Sequence, residues 1–172
     1  MKQAIICDID GCLIDSAWIW DEIERKGLTG EEMWKFFDEN ANAPLSAAHY
    51  PLVKILQQAL SKENDLIFVT ARSESIREET RHRLAGIIYD KEFILLMRPL
   101  ENADPSARVK EVHLVELLKN YEINLAIDDE QANCDMFEKY GIPCIKWEIK
   151  MSCGSKTKNM ENTTRPEPMR VN

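Results

Sequence analysis

The sequence predicts an α/β domain, a doubly wound (Rossmann-like) five-stranded parallel sheet with a small helical cap insertion. Three observations carry this. Five short apolar or β-branched runs, Ala4 to Cys7, Leu66 to Val69, Phe93 to Met97, Leu125 to Ile127 and Pro143 to Trp147, are separated by segments of helical period. The runs are almost continuously apolar, as expected of strands covered by helices on both faces. Three of them end in acidic, hydroxyl or basic residues, where sheets of this class hold their ligands.

The first run leads directly into Asp8-Ile9-Asp10-Gly11-Cys12-Leu13. Carboxylates at positions i and i+2 of an extended chain point the same way, so the charges of Asp8 and Asp10 meet at the strand end. Such a pair is unfavourable unless a cation or a shared proton relieves it. Two readings stay open at this point. One aspartate caps a helix while the other ties down a turn with Gly11, or the two flank a hard cation such as Mg²⁺, one attacking an electrophile while the other moves a proton.

Residues 14–50 interrupt the expected crossover to the second strand. Trp18, Ile19, Glu22 and Ile23 suggest one amphipathic helix, and Thr29-Gly30-Glu31-Glu32 opens a second that carries Met33, Trp34, Phe36 and Phe37. These aromatics make either a small core that holds the insert down or an apolar lid, with Trp18, Trp20 or Trp34 meeting a flat group. The crossover helix follows, with Leu52, Ile55, Leu56, Ala59 and Leu60 at helical spacing.

The second run ends at Thr70-Ala71-Arg72, followed by a helix bearing Arg77, Arg81 and Arg83, which are expected to pair with Glu74, Glu78 and Glu79. Val109, Val112, Leu114, Val115, Leu117 and Leu118 mark the next helix, with Lys110 near its start. The fourth run ends at Asp128-Asp129, and Met136, Phe137 and Tyr140 mark the last helix. One α/β domain is expected over 1–151, the insert at 14–50 included. Periodicity then stops, and 152–172 reads as a polar, flexible tail.

Composition narrows the classes. The chain of 172 residues, 44% hydrophobic and 30% charged, fits one soluble domain. A net charge of −8 argues against non-specific attachment to nucleic acid or anionic membranes, without excluding a local basic groove. No apolar run approaches the roughly 18 residues of a membrane span, and Lys2, Asp8 and Asp10 interrupt any signal-peptide pattern, so a cytoplasmic location is expected. The five cysteines form no C-x-x-C pair; Cys7, Cys134 and Cys144 read as small hydrophobes. His49, His82 and His113 are scattered and read as surface or packing residues. Asn162-Thr163-Thr164 matches a glycosylation pattern that a cytosolic chain does not use.

Taken together, Asp8-Ile9-Asp10-Gly11-Cys12-Leu13, Thr70 at a strand end, Lys110 at a helix start and Asp128-Asp129 after a strand resemble, in order and spacing, the four motifs of the haloacid dehalogenase superfamily of phosphohydrolases. The resemblance covers about residues 4 to 147. It implies that Asp8 is the nucleophile that forms an aspartyl phosphate and Asp10 the general acid and base. It also implies Mg²⁺ held by Asp8, the Asp10 backbone carbonyl and Asp128, with Asp129 as a further ligand or its neighbour, and phosphoryl oxygens bound by Thr70 and Lys110. Cys12 departs from the threonine usual after the glycine, which suggests a site sensitive to oxidation.

Thr70-Ala71-Arg72, the arginine-bearing helix, Leu95-Leu96-Met97-Arg98, Asp104 and Val109-Lys110 add a closer likeness, to the 3′-phosphatase domain of bacteriophage polynucleotide kinases and its stand-alone relatives. No Gly-x-x-x-x-Gly-Lys-Ser/Thr loop is present, so the kinase half is not expected. The likeness implies a phosphorylated nucleic-acid end or nucleotide as substrate, in host cytoplasm if the chain is phage-encoded. Ala71 and Arg72 then join the phosphate site, and Arg98, Arg108 and Trp18 form its rim. A 5′-nucleotidase, a phosphatase of another small metabolite, or a non-catalytic binding protein on the same fold are the alternatives.

Overall fold

A computed structural model describes residues 1–60, 64–89 and 91–149. Strand β1 (Lys2–Cys7) lies at the centre of a five-stranded sheet of order β3-β2-β1-β4-β5, in which every pairing is parallel. Its neighbours are β2 (Asp65–Ser73) and β4 (Tyr121–Asp128); β3 (Ile94–Arg98) and β5 (Cys144–Lys146) form the edges. The chain first winds outward from β1 through β2 to β3, then crosses back to β4 and on to β5. The winding therefore reverses beside β1, and the carboxyl ends of β1, β2 and β4 surround the crevice this creates.

Alternation along β1 explains the two layers of core. Ile5 and Cys7 face one side with Leu66 and Phe68 of β2, covered by Leu52 and Leu56 of α3 (Tyr50–Leu60) and Leu84 of α4 (Arg77–Ile87). Ala4 and Ile6 face the other side with Ile67 and Val69, covered by α5 (Ser106–Leu117) and α6 (Gln131–Lys139) through Leu114, Leu117, Met136 and Phe137. Burial on both faces is why β1 and the 66–69 part of β2 carry almost no polar alternation, whereas β4 alternates at Glu122, Ile123 and Asn124 before it becomes buried.

Two elements differ from the sequence reading in ways that shape the site. β2 continues past Val69 to Ser73, with a register shift before Ser73 pairs with Arg98. The sequence reading ends the strand at Thr70 with Arg72 just beyond it, yet Thr70, Arg72 and Ser73 are all buried. On α5, Val112 and Val115 are exposed, whereas Lys110, Leu114 and Leu117, at spacing i, i+4, i+7, form the buried face. The helix is turned so that the Lys110 stem enters the interior. Ile55 and Tyr140 also point outward.

The insert forms α1 (Ala17–Lys26) and α2 (Gly30–Asn40), which share a small core of Ile19, Ile23, Met33, Phe37 and Ala41. Trp20 stacks on Phe37 at 5.0 Å, and both rings meet Trp34 edge-on. Trp18 donates its indole N–H to Ser46 Oγ at 2.8 Å. The aromatics thus make the internal core of the insert. Among the helical arginines, Arg77 pairs with Glu74 as expected, but Arg81 lies over the Phe93 ring and Arg83 donates to the Ser46 carbonyl at 2.7 Å. The tail at 152–172, Cys153 and Asn162-Thr163-Thr164 lie outside the described residues.

Candidate active site

The residues at the carboxyl ends of β1, β2 and β4 converge with Lys110 from α5. Asp8 follows β1 directly, and its backbone N–H still donates to the Ile127 carbonyl of β4 at 2.9 Å. Its side chain is buried, with Oδ1 3.0 Å from Lys110 Nζ. The same ammonium donates to Asp128 Oδ2 at 2.6 Å. The other Asp128 oxygen accepts from Asn133 Nδ2 at 2.7 Å and from the Glu130 N–H at 3.1 Å. Lys110 is 1% exposed, so one buried cation serves two buried carboxylates.

Asp129 turns the other way. Its carboxylate lies against Gly11, so closely that a Cβ on that glycine would stand 2.2 Å from Oδ2. Gly11 has φ +75°, in the left-handed region glycine favours. One potential ligand atom each from Asp8, Cys12 and Asp129 lies within 4.8 Å of the others.

The charge balance of this cluster is negative. Burial pushes the Asp8 carboxyl well above its usual range; Lys110 opposes this, and Asp128, Asp129 and Asp10 reinforce it. Burial, with the Asp128 charge next, raises Asp129 to about 7. For Lys110, burial works against the charged form, but Asp128 and Asp8 overcome it and hold the ammonium protonated. The surplus negative charge with closely spaced carboxylate oxygens fits a hard divalent cation. Cys12 does not change that preference: burial and the neighbouring Asp8 push its thiol far up, so sulfur stays protonated.

Comparison with known proteins connects this arrangement to a family. Residues 2–149 match the family of the polynucleotide kinase PNKP phosphatase domain. The chain belongs to that family. It is thus a haloacid dehalogenase-type phosphatase domain, a class of hydrolase whose members typically use a divalent metal. Among solved structures it is similar to a chain of the Pnkp1/Rnl/Hen1 complex (TM-score 0.66, 23% identity, 86% of this chain and 46% of that one). It is also similar to the class C acid phosphatase from Bacillus anthracis (TM-score 0.61, 17% identity, 77% and 53%). A third likeness is to the haloacid dehalogenase-like hydrolase SP0104 from Streptococcus pneumoniae (TM-score 0.52, 16% identity, 83% of each chain). The chain spans under half of the Pnkp1/Rnl/Hen1 chain it matches. No curated protein matches it.

Within this phosphatase-domain family framework, several side chains have partners that the sequence did not foretell. Arg72, expected to bind phosphate, has a fully buried side chain that forks onto Asp10, Nε to Oδ2 at 2.7 Å and Nη2 to Oδ1 at 2.8 Å. Its backbone N–H donates to Thr70 Oγ1 at 3.2 Å. Arg98, expected at the rim, is buried and donates to the carbonyls of Ala71 at 3.0 Å and Asp104 at 2.5 Å, bracing the loop between β3 and α5 against the Thr70-Ala71 stretch of β2. Arg108 is exposed and pairs with Glu111 at 2.7 Å. Trp18 is half-buried and engaged with Ser46.

Asn42, Thr80 and Asn133 belong to the site's supporting network and were not singled out from the sequence. Asn133 left a signal, an asparagine on the apolar side of α6 beside Cys134, Met136 and Phe137. Asn42 left none, because its partner Arg72 lies 30 positions away, and Thr80, eight residues after Arg72, is one polar residue among many on α4. His113 packs with its ring nitrogen 2.8 Å from the Met97 carbonyl, and His49 accepts from the Trp147 indole at 3.2 Å, both structural contacts. Cys134 and Cys144 lie side by side as free thiols, their sulfurs 3.1 Å apart. The expected oxidation sensitivity of Cys12 conflicts with its complete burial.

Proposed function

We propose that this chain is a Mg²⁺-dependent phosphomonoesterase that works through an aspartyl phosphate and removes the 3′-phosphate from nucleic-acid ends or nucleotides. The observation that carries it is the position of Asp8. It is a buried carboxylate at the end of the central strand, with Lys110 on one side, Asp129 on the other and the arginine-held Asp10 two residues on.

Asp8 attacks phosphorus, splitting one slow hydrolysis into two easier displacements. Asp10 protonates the departing alkoxide and then takes a proton from the water that cleaves the acyl phosphate. Lys110 and the Thr70 hydroxyl donate to the phosphoryl oxygens as charge spreads onto them. The carboxylates of Asp8 and Asp129, with the Asp10 backbone carbonyl, would hold Mg²⁺, which would supply charge neutralisation between nucleophile and substrate. Asp128 is not placed among these ligands, because its oxygens already accept from Lys110, Asn133 and Glu130.

The family supports a nucleic-acid end as substrate, since its name is that of an enzyme acting on polynucleotides. The exposed Arg108 and the half-buried Trp18 are proposed as rim contacts beyond the phosphate, and the domain at 1–151 with its insert at 14–50 as the catalytic unit. Among the described residues, no helix is long and apolar enough to cross a membrane.

The test is phosphate release by the wild type and Asp8→Asn, with and without Mg²⁺, from 3′-phosphorylated oligonucleotides, 3′- and 5′-mononucleotides and an aryl phosphate. Release from the 3′-phosphorylated ends, lost in Asp8→Asn, is expected. Selective action on 5′-mononucleotides would overturn the substrate, and Mg²⁺-independent release by Asp8→Asn would overturn the mechanism.

A further inference from the structure

Arg72 has five N–H groups, and the structure accounts for every one. Nε and one Nη2 hydrogen go to Asp10. The second Nη2 hydrogen goes to the Ala41 carbonyl at 3.0 Å. The Nη1 pair goes to Asn42 Oδ1 at 2.7 Å and Thr80 Oγ1 at 3.4 Å. Asn42 in turn donates its Nδ2 to the same threonine at 3.2 Å. A planar fork whose donors are all engaged cannot pivot without breaking a bond in a buried place. Its orientation, and with it that of the Asp10 carboxylate, is therefore set partly by residues outside the sheet.

Ala41 and Asn42 are the residues that follow α2, so this support comes from the insert. Asn42 is suited to the task because it is neutral. It offers an acceptor to Arg72 without a second negative charge to draw the guanidinium away from Asp10. An insert acting as a lid alone would not need to reach the sheet through this asparagine.

We infer that Asn42 is a positioning residue that fixes Asp10 for proton transfer through Arg72, so that the insert is part of the catalytic framework. This rests on Asp10 acting as the acid in the first step, as proposed above. A group that positions the acid matters where the leaving oxygen needs a proton and is dispensable where it does not. An alkyl alkoxide, such as a ribose hydroxyl, needs one; a nitrophenolate leaves without it.

The experiment compares kcat/KM, which reports the first displacement, for wild type, Asn42→Ala, Thr80→Val and Asp10→Asn. The substrates are a 3′-nucleoside monophosphate and a nitrophenyl phosphate. For Asn42→Ala the expected loss is about tenfold or more on the nucleotide and within about twofold on the nitrophenyl ester. Thr80→Val, which removes the other acceptor of the same Nη1 pair, should show the same asymmetry and carries the test if Asn42→Ala does not fold. Equal losses on both esters, or none on either, in whichever of the two folds overturn the inference, provided Asp10→Asn itself discriminates between the esters. Failure of Asp10→Asn to discriminate overturns the role assigned to Asp10 instead.

Discussion

Lys110 Nζ donates to Asp128 Oδ2 at 2.6 Å while lying 3.0 Å from Asp8 Oδ1, so a helix residue joins the carboxyl ends of two neighbouring strands. All three side chains are buried. Taking charges out of water is costly, and this arrangement survives because one ammonium serves both carboxylates. Lys110→Met should therefore destabilise the fold by about 3–5 kcal/mol, because it leaves two carboxylates facing each other without their cation. Urea unfolding checks this, and Lys110→Met/Asp128→Leu should recover part of the loss.

The raised carboxyls make the stability of the metal-free protein fall as pH rises. Asp129 holds its proton up to about 7 in the folded state, whereas an unfolded aspartate has released it near its ordinary value of 3.8. Between these values the native state binds more protons than the unfolded one, so stability declines through the window. Asp8, shifted the same way, adds to the effect. Thermal unfolding in chelator should show a lower midpoint at about pH 8 than at about pH 5.5, with Mg²⁺ restoring it at the higher pH and Asp129→Asn reducing the drop.

Gly11 is required twice over, by its φ of +75° and by the Asp129 carboxylate beside it. Gly11→Ala should cost about 1–2 kcal/mol from the left-handed backbone alone. It should also displace Asp129 and weaken Mg²⁺ binding, measured by calorimetric titration of the folded variant. Unchanged affinity would place the metal away from Asp129.

Cys12 is buried and its thiol is held protonated, so reactivity should follow unfolding, not encounter. Iodoacetamide labelling followed by peptide mass analysis should leave Cys12 unmodified in native protein and modify it rapidly in denaturant. Fast native labelling would show that the loop following Asp10 opens.

Much of the site was legible because strand ends are local features. Asp8, Thr70 and Asp128 stand at the ends of apolar runs, and those runs are visible by composition alone. Lys110 was legible from the family pattern, but its burial was not, since a lysine interrupts an apolar face as read by hydropathy. The extension of β2 through Thr70, Arg72 and Ser73 was hidden for a related reason. Polar residues read as loop until their partners are seen.

By itself, the sequence determined the parallel α/β fold and which chemical groups stand at the end of each strand. Both follow from short-range periodicity. Which partner each group takes there follows from contacts between residues distant in the chain. Arg72 turns to Asp10, 62 positions away, and is held by an asparagine from the insert. Asp128 pairs with Lys110 while Asp129 joins Asp8. Two adjacent aspartates are indistinguishable in sequence. They differ once the last residue of β4 points into the layer beneath α5 and the next turns toward Gly11, because successive side chains leave a strand on opposite sides.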